Sequence, residues 1–238
     1  MNRSTGYVIR RLAQAWQEIL VGMQRMSNAG PRPLDWGGIF IHDADSESTE
    51  IKFTVRPIVF NVPERANGKN INLYIVLSGW LSFETEHGGH EILRTRTYGT
   101  RVAYFRDKGE SLDHVYGTHY DMEELLAGHP VFHAQMASQV EFAGVVKDQF
   151  GVDAPDVDLV MPILHGVRVP TAQMDVFSVV LQICADHLLS SQSASEVKDA
   201  FQTMVHTVGF FSGAGYRMPR LTGELATSCY RSMHWYPE

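Results

Sequence analysis

The strongest constraint on this chain is a change of hydrophobic period, from helical spacing to strict alternation for about a hundred residues and then back. Ile51, Phe53, Val55, Pro57 and Val59 alternate with Lys52, Thr54 and Arg56; Ile71, Leu73, Ile75, Leu77, Gly79, Leu81 and Phe83 alternate with Asn72, Tyr74, Ser78, Ser82 and Glu84. Successive strand residues point to opposite faces, so each run has a consistently apolar side that needs a cover. Turn signals lie between 63 and 70, where Asn67-Gly68 suits a tight reversal, and at His87-Gly88-Gly89-His90. Further strands are expected over 91–98, 101–107 and 112–121, the last two separated by Lys108-Gly109, and over 130–136, where Pro130 sets the start. Helices do not separate these strands, and no glycine-rich dinucleotide or phosphate loop is present, which argues against a parallel nucleotide-binding sheet.

Helical spacing brackets the alternating part. Val8, Leu12, Trp16, Ile19, Leu20 and Met23 form one apolar stripe over 4–26, which Gly30 and Pro31 bring to a stop. A short helix is expected at 122–126, followed by others at 139–150, at 172–189 with Thr171 as N-cap, and at 221–233. Ser193-Ala194-Ser195-Glu196 reads as a capping box opening a helix to about 207. Gly209 to Arg217 reads as a helix end and turn. The expected class is therefore α+β, an antiparallel β-meander packed against an N-terminal helix and a C-terminal helical part. It is read as one domain over 1–238, sheet-rich over 35–137 and helical over 138–238.

Composition excludes several function classes. With 238 residues, 44% hydrophobic and 20% charged, the chain can bury about three quarters of its unfolded surface without staples. A net charge of -7 makes non-specific nucleic-acid binding a poor fit, since such binding draws on Lys and Arg meeting phosphates. No apolar run reaches the roughly 18 residues of a membrane span, and the N-terminus lacks a signal-peptide core. Cys184 and Cys229 lie in apolar stretches that read as helices, which favours buried free thiols and a cytoplasmic setting.

The chemistry-bearing block is Thr118-His119-Tyr120-Asp121 with His129-Pro130-Val131-Phe132-His133-Ala134-Gln135. Strand parity puts His119 and Asp121 on one face and His129, His133 and Gln135 on one face. Adjacent strands would bring His119, Asp121, His133 and Gln135 together as candidate catalytic groups. Two imidazoles and a carboxylate suit a divalent metal such as Zn or Fe, with His119, Asp121 and His133 as ligands. A hydrogen-bonded structural network of the same residues is the alternative. Arg94 and Arg96 on one strand face, Arg101 across a turn, and His165 with Arg168 before a helix are candidate anion-binding groups beside His129. The adjacent pairs Asp113-His114 and Asp186-His187 diverge by geometry and make no dyad.

The His119–Gln135 block followed by Arg168-Val169-Pro170-Thr171 resembles bacterial proteins of toxin-antitoxin and phage-defence loci, over about a quarter of the chain. Small toxin families lack the long helical part. The resemblance implies a place in a bacterial conflict system and no mechanism; the first reading is a binding or assembly component of such a system, with a protein partner or a second copy of the chain. A small-molecule or phosphate ligand would sit on the His/Asp face. The other reading is a hydrolase, metal-dependent or acid/base, acting on a phosphodiester or nucleotide.

Overall fold

In the computed structural model the described residues are 10, 13–14, 16–22, 40–43, 50–66, 68–86, 92–109, 111–122, 129–130, 132–137, 142–152, 167–213 and 229–230. Alternation becomes strands β1 (Phe40–Asp43), β2 (Glu50–Ala66), β3 (Lys69–Glu86), β4 (Ile92–Asp107) and β5 (Leu112–Met122). Two short strands follow, β6 (His129–Pro130) and β7 (Phe132–Met136); β8 (Arg168–Pro170) and β9 (Cys229–Tyr230) come later in the chain. Seven of them form one sheet in the order β1-β2-β3-β4-β5-β7-β8, and every neighbouring pair in it is antiparallel. The fold is α+β, as the two periods require.

Turn chemistry sets the register. Ala66 pairs with Lys69 across a two-residue loop whose Gly68 has φ +76°, a conformation that favours glycine. At the β4–β5 reversal Gly109 has φ +94° and donates its N–H to Asp107 Oδ1 at 2.6 Å.

Each face of the sheet has its own cover. On one side Phe53, Ile75, Leu77, Tyr98 and Phe132 pack against three helices. These are α1 (helical at residues 10, 13–14 and 16–22), α3 (Val176–His187) and α4 (Ser195–Gly213). Trp16 meets Phe177 edge-on at 5.6 Å, and Gly22 lies so close to Met204 that a Cβ there would collide with its side chain. On the other side α2 (Phe142–Phe150) places Phe142, Ala143 and Val146 over Val59, Tyr74, Val76, Ala103, Phe105 and Leu112.

Helix α3 is fixed to the sheet from its start. Asp175 is its N-cap, with Oδ1 accepting from the N–H groups of Phe177 and Ser178 at 3.0 Å each and Oδ2 from Gln173 Nε2 at 2.8 Å. Just before it, Met174 N–H donates to the Tyr98 hydroxyl at 3.0 Å. The helix therefore begins later than Thr171, because 168–170 is taken into the sheet as β8 and Thr171 N–H donates to Phe132 O at 3.1 Å. The capping box at Ser193 is replaced by a turn: its hydroxyl accepts from Ser190 N–H at 2.9 Å, while Ala194 O receives the first helical N–H groups. Helix α4 continues through Gly209 to Gly213, past the turn expected there.

Four other expectations change. Strands at 91–98 and 101–107 are one strand, β4, so Arg101 is not across a turn from Arg94. Met122 closes β5 rather than opening a helix, and 123–128 lie outside the described residues. The strand over 130–136 is split: β6 leaves the main sheet and pairs in parallel with β9. Pro130 lacks the N–H that a central ladder position uses, in keeping with this break. Cys229 and Tyr230 are thus extended where a helix over 221–233 was expected; the remainder of that segment lies outside the described residues. Cys184 is a buried free thiol, and burial pushes its pKa up to about 12, which keeps it unreactive.

Burial raises the Asp175 carboxyl above its ordinary 3.8, against the opposing effect of its hydrogen bonds to Ser178, Gln173 and Phe177. A raised carboxyl is protonated to a higher pH folded than unfolded, so its stabilising contribution is complete below 3.8 and lost as pH rises through the folded value. Asp175→Ala, which loses the cap, is expected to cost about 1–2 kcal/mol, a fall in Tm of about 2–4 °C per kcal/mol. Asp175→Asn keeps an acceptor and removes the titration. Thermal melts across pH check this: a Tm for Asp175→Asn as low as that of Asp175→Ala at neutral pH would exclude the cap as the residue's main role.

Candidate functional site

The polar cluster is built by cross-strand pairing. Asp121 lies opposite His133 and His119 opposite Gln135 in the β5–β7 ladder. Directly paired residues share a face, so all four side chains rise from the α2 side of the sheet. That face is apolar under α2 and polar toward β5 and β7. The register is held from the opposite face by Thr118, whose Oγ1 donates to Gln135 O at 2.9 Å.

His119 Nε2 and Asp121 Oδ2 are 3.0 Å apart, and one ligand atom from each of His119, Asp121 and His133 lies within 4.8 Å of the others. A tetrahedral metal with ligands at about 2.1 Å holds its donors roughly 3.4 Å apart. The His119–Asp121 pair is already near that separation, and His133 offers a ligand atom within 4.8 Å of both. Exposure is graded: His133 is 3% exposed, while the His119 and Asp121 side chains are 24% and 38% exposed. The cluster thus has a buried end at His133 and an open end at Asp121.

Two neighbours escaped sequence reasoning. Trp80, Gly99 and Asp121 occupy successive strands in one row. A Cβ at Gly99 would stand 2.7 Å from Trp80 Nε1 and 3.2 Å from Asp121 Oδ1, so the indole and the carboxylate occupy the space a side chain would need. Lys52 Nζ sits 4.9 Å from the centre of the Trp80 ring, a cation–π contact on the same face. The signal was Gly99 itself, in a strand where Tyr98-Gly99-Thr100 reads as a break. A glycine inside a strand equally marks a close approach.

The candidate anion-binding residues separate. Arg101 is paired with His119, and Arg168, on β8, is paired with Gln135; both are exposed. Arg94 pairs with Glu84, and Arg96 is the extra residue of a bulge in β4 between Thr95 and Thr97, so the two do not share the simple strand parity expected of them. Arg94 lies about 20 Å along the strand from Arg101, out of line with the cluster. The side chains of Arg94, Arg96 and His129 and all of His165 lie outside the described residues. The backbone of His129 belongs to β6, on a different sheet from His133.

The adjacent pairs diverge as strand and helix geometry requires. Asp113 bonds Lys108 at 3.2 Å while His114 meets the Phe105 ring edge-on at 5.4 Å. His187 packs on Tyr104 at 5.8 Å, and Asp186 is exposed. Tyr104 and Tyr120, on the α3 side, are pushed up to about 12, first by burial and then by neighbouring phenols and Asp186, so both hydroxyls stay protonated at neutral pH. No protein-family model, curated protein or solved structure matches this chain.

Gly99→Ala is expected to destabilise by about 1–3 kcal/mol through the clash with Trp80 and Asp121. In a Trp80→Ala background most of that cost should disappear. Urea unfolding of the four proteins of this cycle supplies the coupling, and a Gly99→Ala cost that is the same in both backgrounds would remove Trp80 from the account.

Proposed function

We propose that this protein is a ligand-binding component whose site is the polar half of the α2-side sheet face, with a divalent transition metal held by His119, Asp121 and His133. The observation that carries the reading is the convergence of two imidazoles and one carboxylate within 4.8 Å, on strands whose register a buried core fixes. Two His and one carboxylate are a common donor set for Zn and Fe(II), and three protein ligands leave coordination positions for a further ligand. The graded exposure from His133 to Asp121 supports a metal approached from the Asp121 side. A place in a bacterial defence or toxin-antitoxin system, with a protein partner, rests on sequence resemblance alone.

A second reading follows from the same opening. A metal held by His119, Asp121 and His133 and open on the Asp121 side would supply a water of lowered pKa, which suits hydrolysis of a phosphodiester or nucleotide. In the metal-free form of this reading His119 or His133 would act as general acid or base, with Gln135 supplying a neutral hydrogen-bonding group opposite His119.

Titration of chelator-treated protein with Zn(II) or Co(II) is expected to show one equivalent bound. His119→Ala, Asp121→Ala and His133→Ala should each weaken binding by more than about tenfold. Affinity should fall on acidification, because protons compete for the imidazoles. Protein that binds no stoichiometric metal, but loses Tm sharply in His133→Ala, would instead have a structural hydrogen-bond network here. Turnover of bis(p-nitrophenyl) phosphate by the loaded protein, lost in Asp121→Ala, would favour the second reading over simple binding.

A further inference from the structure

The row of residues next to the Asp121–His133 pair carries a different chemistry. Ser78, Arg101, His119, Gln135 and Arg168 are successive Cα partners across β3, β4, β5, β7 and β8. Directly paired residues share a face, so the row rises on the side that holds the cluster. With strands about 4.8 Å apart, Arg101 and Arg168 are separated by roughly 14 Å at Cα, with the imidazole of His119 and the carboxamide of Gln135 between them. Extended arginine side chains from the two ends can meet above the middle of the row.

Charge supports the same reading. The chain has a net charge of -7. Yet the row itself carries two arginines and no carboxylate, with Asp121 in the next row; Lys52, two rows away, has Asp43 as its Cα partner. Arg101, Arg168 and Lys52 are exposed, so a ligand from solvent reaches them. Guanidinium groups present planar pairs of N–H donors that match phosphate oxygens, and the Gln135 amide adds a neutral donor within the row.

We propose that this row binds a phosphoryl group of a small-molecule ligand, with Arg101 and Arg168 gripping it from opposite ends above His119 and Gln135. The proposal rests on the metal reading in placing the ligand on the same face, and it identifies the class of ligand that face takes. It selects Arg101 and Arg168 over Arg94 and Arg96, because only the first pair lies in the row of His119.

Inorganic pyrophosphate is the probe, titrated calorimetrically into chelator-treated and Zn(II)-loaded protein. Wild type is expected to bind it, with affinity falling as salt is raised. Arg101→Ala and Arg168→Ala should each weaken binding by at least about tenfold, the loss of one charge-assisted pair. Arg101→Lys and Arg168→Lys, which keep the charge and lose the fork, should recover part of it. Zn(II) affinity in these variants should stay within about twofold of wild type, since neither arginine is a ligand. Thermal melts confirm that the variants are folded.

Absence of pyrophosphate binding by both forms of the wild type, or equal binding by wild type and both alanine variants, overturns the proposal. Zn(II) binding without pyrophosphate binding leaves the metal reading standing and this one refuted. Arginine-dependent pyrophosphate binding by protein that takes no metal does the reverse.

Discussion

Everything at the site depends on the register between β4, β5 and β7. A slip of one residue would turn His119, Asp121 and Gln135 toward α3 and bring Thr118 and Tyr120 to the polar face. Several fully buried side chains resist that slip. Tyr98, Val102 and Phe132 are at most 5% exposed on the α3 side, each worth roughly 1.5–3 kcal/mol of burial. The Thr118 hydroxyl bonded to Gln135 O adds a polar fastener across the same pair of strands. The apolar core under one face thus positions the polar chemistry on the other.

The α2-side face is divided along its length. Where α2 covers it, Val59, Val76, Ala103 and Phe105 supply an ordinary apolar contact. Beyond that cover the same strands change character: β3 presents Ser78 and Trp80, β4 presents Gly99 and Arg101, and β5 presents His119 and Asp121. Val76 and Ser78, or Ala103 and Arg101, are two residues apart on one strand, so the boundary between core and site is a single step of the pleat. Rigid strands hold the functional groups, which limits the freedom of the imidazoles and guanidiniums to wander.

Much of this was legible in the sequence because it follows from parity. The alternation around Leu73 to Leu81 gave the strand and its apolar face, and the two-residue spacing of His119 and Asp121 gave their shared side. Adjacency of β5 and β7 then brought His133 opposite Asp121. What escaped the sequence depended on partners distant along the chain. Gly99 looked like a break because its role is defined by Trp80 and Asp121, which lie on neighbouring strands. Arg168-Val169-Pro170 looked like the approach to a helix because three residues carry no period, and only the ladder to β7 shows them to be a strand. Thr171 and Ser193 matched capping preferences, but their local groups were engaged elsewhere, at Phe132 O and Ser190 N–H.

The strand order also has a temporal consequence. Asp121 and His133 are paired across a short stretch of chain, whereas Arg168 reaches Gln135 only through β8, and Pro130 meets Tyr230 a hundred residues later. During synthesis all residues of the imidazole–carboxylate cluster are present once the chain has passed Gln135, while the helices that complete the core beneath them come later. The far guanidinium of the row, and the parallel pair flanking β7, must wait for later segments, and such distant closures are slow steps in folding. A nascent chain therefore carries the residues of the cluster before those of the full row, and both are held in register only when the helical part arrives to cover the sheet.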